Sequence, residues 1–132
     1  MTIIAATDTI RYSSDAASQT SSTTYVKLKE LTMTDSYTGS WRIVFDLAGY
    51  FDGDFYFSGW GRVYKNGVPY GTERIEAADY YVTKSEDFTG ISIANGDLIQ
   101  LYAHSETIFT NVFIQNFRIE FDPAWSSFIV VD

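Results

Sequence analysis

Along most of this chain hydrophobic and polar residues alternate with a period of two, the signature of β-strands with one buried face. The clearest case is "WRIVFDLAG", where Trp41, Ile43, Phe45 and Leu47 share one face and are expected in the core. Similar runs cover 9–12, 25–33, 98–104 and a long stretch from 108 to 121. Between them lie turn signals: the Ser/Thr-rich "SSDAASQTSSTT", then "DSYTGS", "YFDGD" and "ANGD". "KNG" at 65–67 predicts a type I′ hairpin, because Asn-Gly accepts two positive φ angles. Pro69 then places the returning segment, "VPYGTERIE", at a sheet edge. About eight strands at this spacing predict an all-β fold, a two-sheet antiparallel sandwich of jelly-roll type. Residues 1–132 are expected to form a single domain, with 123–132 as a tail that closes its own sheet or exchanges with a neighbour.

Two stretches do not fit simple alternation. In "FYFSGWGRVYKNG" Trp60 sits between Gly59 and Gly61, so the largest side chain is flanked by none. Parity puts Phe55, Phe57 and Val63 on one face and Tyr56, Trp60 and Tyr64 on the other, which makes both faces aromatic. Phe55 and Phe57 are expected inside, with Leu101, Phe117 and Ile119. In "VFIQNFRIEF" Phe113, Phe117, Ile119 and Phe121 alternate on one face, yet Val112 and Ile114 fall on the other. A strand apolar on both faces is central, bulged or covered from outside.

Composition sharpens the picture. Ten Tyr, ten Phe and three Trp in 132 residues, with 20% charged residues, supply enough burial to oppose disorder. A net charge of −8 excludes nucleic acid as a direct partner, since a phosphate backbone would be repelled. No apolar run approaches the roughly 20 residues of a membrane span, so no membrane insertion is expected. With no cysteine, disulfides and thiolate metal sites are impossible. The opening "MTIIAATDTIRY" lacks the basic and apolar regions of a secretory signal.

Candidate chemistry is sparse. Trp60 with Tyr56, Tyr64 and Arg62 forms either a core anchor or an exposed aromatic face, the latter suited to stacking a sugar or meeting a second copy. Asp52 and Asp54 around Gly53 are two oxygen donors in a turn, too few for Ca²⁺, which takes about six to eight. Glu73, Glu76, Glu86 and Asp87 show no spacing that marks a glycosidase pair. His104 is the single histidine, and no nucleophile elbow accompanies Ser105. Neither a cofactor nor a metal is expected, and no enzyme activity. In the last segment, "PAWSSFIVVD", Trp125, Phe128 and Ile129 are candidate contacts for a partner.

The pair "VYKNGVPYGTER" (63–74) and "NGDLIQLYA" (95–103) resembles the small jelly-roll modules of phage and virus structural proteins and of trimeric complement-type or tumour-necrosis-factor-like heads. The resemblance spans about 41–121. It implies homo-oligomers, most often trimers, in a virion or extracellular setting as capsid decoration, fibre or tail parts, with other virion proteins as partners. It carries over no catalytic residue. The alternative is a carbohydrate-binding module that recognises a surface glycan through the aromatic face.

Overall fold

The computed structural model describes residues 2–4, 9–34, 36–121 and 129–131. Among them are fourteen strands and no helix, so no helix is long and apolar enough to cross a membrane. In chain order they are β1 (Thr2–Ile4), β2 (Thr9–Ser14), β3 (Ser18–Thr20), β4 (Val26–Thr32), β5 (Tyr37–Ala48), β6 (Tyr50–Phe51), β7 (Tyr56–Phe57), β8 (Gly59–Lys65), β9 (Val68–Pro69), β10 (Arg74–Glu76), β11 (Val82–Ile93), β12 (Leu98–Ser105), β13 (Val112–Phe121) and β14 (Ile129–Val131). Two antiparallel sheets form a jelly-roll-type sandwich. One runs β10-β8-β12-β4 with β9 on β8; the other runs β11-β5-β13-β2 with β3 on β13. β6–β7 and β1–β14 are separate two-stranded pairs.

The core lies between the sheets, as the alternation demands. Trp41, Ile43, Phe45 and Leu47 of β5 meet Val63, Ile99, Leu101 and Ala103, all buried. The double-sided pattern of β13 has a local cause. Its register against β5 shifts between Gln115 and Arg118, and Asn116 there takes a positive φ of 53°. The extra residue reverses parity, so Val112 and Ile114 before it and Phe117 and Ile119 after it all point inward. The Asn116 amide donates to Asp46 Oδ2 at 2.9 Å, which fixes the bulge from the outer side.

The Asn66–Gly67 turn has φ angles of 53° and 80° and joins paired Lys65 and Val68, the expected hairpin. The segment after it does not continue as one strand. β9 ends at Pro69, and the chain resumes pairing only at Arg74.

Two expectations about the core fail. Phe55 is 67% exposed and Phe57 half-buried, because 50–57 leave the sheet as the β6–β7 hairpin. Asp52 drives this turn: its Oδ1 accepts the backbone N–H groups of Asp54 and Phe55, each at 2.8 Å. Those bonds also hold its carboxyl below the ordinary range.

Candidate functional site

The glycines beside Trp60 explain which way it faces. A Cβ on Gly59 would stand 2.7 Å from Val112 Cβ, and one on Gly61 would stand 2.9 Å from Phe45 Cε2. Both glycines are buried against the opposite sheet, where nothing larger fits. Their inner positions make room for Phe45 and Val112. By alternation Trp60, Arg62 and Tyr64 then occupy the outer face of the β10-β8-β12-β4 sheet.

Strand register assembles a site around them. β12 pairs with β8 so that His104 lies opposite Trp60, Tyr102 opposite Arg62 and Gln100 opposite Tyr64. The indole and imidazole stack with centroids 4.5 Å apart and planes 8° apart. Tyr25, just before β4, meets the other side of His104 edge-on at 4.5 Å. Tyr64 and Tyr102 stack at 3.8 Å and 7°. Five rings, from β8, β12 and the residue just before β4, thus cover one outer face. His104 occupies one face of the indole. The opposite face looks over the edge strand β10, where Ile75 pairs with Trp60 and is 53% exposed.

Polar groups rim the rings. The Tyr25 hydroxyl donates to Glu73 Oε1 at 2.7 Å, and the same oxygen lies 3.6 Å from His104 Nε2. Burial, then the Glu73 carboxylate, push the Tyr25 phenol up, so it stays a donor. Arg62 Nε donates to the Gly71 carbonyl at 2.7 Å, which fixes the guanidinium beside the ring row. Gln100 Nε2 and Lys27 Nζ both donate to Glu30 Oε2, at 2.9 and 2.8 Å. The other sheet contrasts with this. Its outer face carries Arg42 paired to Asp87 at 2.8 Å, and Asp46 accepting from Thr83, Gln115 and Asn116.

The structure sorts the sequence candidates. Trp60, Tyr64 and Arg62 belong to this face. Tyr56 does not: it leaves with the β6–β7 hairpin, stacks on Phe51 at 4.5 Å and is 60% exposed. Tyr25, Tyr102, His104 and Glu73 join the face, although only His104 and Glu73 had been singled out, and for other chemistry. The even positions of "LIQLYAHS" carried the signal for Tyr102 and His104. Trp125 and Phe128 lie outside the described residues. Ile129 belongs to β14, paired with Ile4 of β1.

Glu76, Glu86 and Asp52, considered for catalysis or metal binding, have structural partners. Glu76 pairs with Lys84 at 2.8 Å, and Glu86 accepts from Thr72 N at 3.0 Å through both oxygens. Asp52 caps its own turn, with Asp54 beside it. Among the described residues no group of three or more His, Cys, Asp or Glu is placed to hold a metal.

Neither a protein-family profile nor a curated protein matches the chain. Among solved structures, the EclA C-terminal domain, a sugar-binding protein, superposes with a TM-score of 0.57 at 14% identity, over 80% of this chain and 78% of that one. The CBM22-1 xylan-binding domain of Xyn10C from Paenibacillus barcinonensis gives 0.46 at 12% identity, over 89% and 97%. What the chain shares with EclA is the fold. The EclA domain is named as a sugar-binding protein, not as a virus component or a trimeric head.

Proposed function

We propose that this chain is a carbohydrate-binding module whose ligand lies across the outer face of the β10-β8-β12-β4 sheet. The observation that carries the reading is the ring row of Trp60, His104 and Tyr25, flanked by Tyr64 and Tyr102 and rimmed by Glu73 and Arg62. Pyranose rings present apolar C–H faces bordered by hydroxyls. Aromatic surface with a few fixed donors and acceptors at its margin complements both parts. The free side of Trp60, continued by Ile75, forms an apolar shelf at the sheet edge. Glu73 accepts from sugar hydroxyls, and Arg62 donates. Both are held by neighbours, so little side-chain entropy is lost on binding.

A sugar-binding domain of the same fold supports the reading at the level of fold only. The viral and trimeric alternative has only the sequence resemblance behind it.

The test is affinity electrophoresis of the protein in gels containing soluble xylan, mixed-linkage β-glucan, glucomannan or galactan. Retardation by at least one polymer, lost in Trp60→Ala while the fold is kept, is the expected result. Free migration in all four, or retardation unchanged by Trp60→Ala, removes this face as the binding surface.

A further inference from the structure

We infer a second, independent carbohydrate site, at one end of the sandwich, that takes a single neutral pyranose unit. Three connections meet at this end: residues 49–58 between β5 and β8, 77–81 between β10 and β11, and 106–111 between β12 and β13. They are tied together. Gly49 N donates to the Ala78 carbonyl at 2.7 Å, and Glu106 N donates to the Ser58 carbonyl at 3.1 Å. Six of the eight large hydrophobic side chains found exposed among the described residues lie on these connections: Phe51, Phe55, Tyr56, Tyr80, Ile108 and Phe109. Scattered exposed apolar residues need no explanation, but six gathered at one end mark a contact surface.

Within that end a hollow of about 240 Å³ opens between Ala48, Asp79, Tyr80, Tyr81 and Phe113. Ala48 and Phe113 pair across β5 and β13, at the end of these two central strands of the β11-β5-β13-β2 sheet. Ala48 is buried beneath the walls, and its small side chain leaves the space. Tyr80, 68% exposed, stands as one wall. The chain leading into this wall is tied back: Ala78 N donates to Glu76 Oε2 at 3.0 Å, and Glu76 pairs with Lys84 at 2.8 Å.

Size and charge select the occupant. The volume lies below the roughly 300–1,000 Å³ of pockets for drug-sized ligands, so it suits one ring. The three connections carry Asp52, Asp54, Asp79 and Glu106, and no Lys or Arg. That excludes a uronate, a sulfated sugar or an anionic bilayer, all of which it would repel. A neutral pyranose fits. Its C–H face lies on Tyr80 or Phe113, the Asp79 carboxylate accepts from vicinal hydroxyls, and the Tyr81 phenol, which burial and then Asp46 keep protonated, donates. The site lies on the second sheet and on loops, away from the aromatic face of the first, so the two could engage separate chains or one chain's end and middle.

The experiment is ¹H–¹⁵N NMR of the full chain titrated with the methyl pyranosides of glucose, galactose, mannose and xylose, each to about 50 mM. At least one should shift the resonances of residues 48, 79–81 and 113 saturably. The expected dissociation constant is about 1–10 mM, the scale for a ligand of about a dozen heavy atoms. Tyr80→Ala should weaken binding at least tenfold and Asp79→Asn several-fold. Tyr80 is exposed enough that the remaining spectrum should overlay on wild type. The proposal is overturned if no pyranoside shifts these residues, or if the shifts survive both substitutions. It is equally overturned if this end responds only to protein concentration or to phosphatidylcholine vesicles, outcomes that assign it to a second copy or a bilayer.

Discussion

Gly59→Ala should unfold the protein more easily although it adds only one methyl group to a strand. A Cβ there stands 2.7 Å from Val112 Cβ and meets Val112 Cγ2 more closely still, with the Ala48 carbonyl at 3.3 Å. Ordinary contact begins at 3.4 Å, so the shortfall against Val112 Cβ is 3.4 − 2.7 = 0.7 Å. Val112 is fully buried in a central strand and β-branched, so it cannot turn away. Overpacking of this kind costs about 1–3 kcal/mol, and a rigid neighbour puts Gly59 near the upper end. Replacing glycine in a strand returns about 0.5–1 kcal/mol of chain entropy. The net is a loss of about 2 kcal/mol, or about 6–10 °C in Tm for a chain of this size. Urea unfolding followed by tryptophan fluorescence measures it. Val112→Ala in the same chain should relieve part of the clash, so that the double variant is about 1 kcal/mol more stable than additivity allows. A neutral or stabilising Gly59→Ala, or strict additivity, would refute the view that β8 is held against the opposite sheet by glycine-only contacts, and with it the reason given for Trp60 facing outward.

Other consequences are open to measurement. Gly61→Ala, which meets Phe45 Cε2 at 2.9 Å, should cost about 1 kcal/mol and recover with Phe45→Leu, read in the same urea assay. Asn116→Ala should cost about 1–2 kcal/mol, since the bulge needs positive φ and the amide bond to Asp46 is lost; Asn116→Gly should cost less, and equal losses would contradict the bulge account. Asp97 accepts from Ala94 N and Asn66 Nδ2, which hold its carboxyl below the usual 3.8. Because its folded pKa is depressed, its contribution is complete above about pH 5 and is lost as pH falls through the folded value. Thermal unfolding at pH 7 and pH 3 should therefore show a smaller pH difference in Asp97→Asn, by under about 1 kcal/mol, and an unchanged difference would rule the contribution out.

Much of the fold was legible because β-pattern is local. "WRIVFDL" states its buried face outright, and Asn66–Gly67 states its turn. Parity then misled where an irregularity intervened. Counting by twos from Phe55 to Val63 treats 55–63 as one strand, but Asp52 bends the chain into its own hairpin and Ser58 separates β7 from β8. The same counting splits Val112 from Phe117, because the Asn116 bulge cannot be seen in residue types alone. The candidate site was half legible for a different reason. Trp60, Arg62 and Tyr64 share one strand, so their common face follows from sequence. Tyr25 and Glu73 reach it only through register and a long-range bond across 48 positions, which no local pattern encodes. His104 is the instructive case: judged alone it is a surface histidine, and only its pairing opposite Trp60 gives it a role.

The central claim is that a glycan lies on the outer face built on Trp60. NMR titration with an oligosaccharide of whichever polymer retards the protein tests this most directly. The account predicts saturable shifts at the Trp60 indole N–H, the His104 ring and the Tyr102 backbone. Arg42, Val44, Thr83 and Ser85, in strands β5 and β11 of the other sheet, should not move. Shifts centred on that other sheet, with the Trp60 indole unmoved, would contradict it.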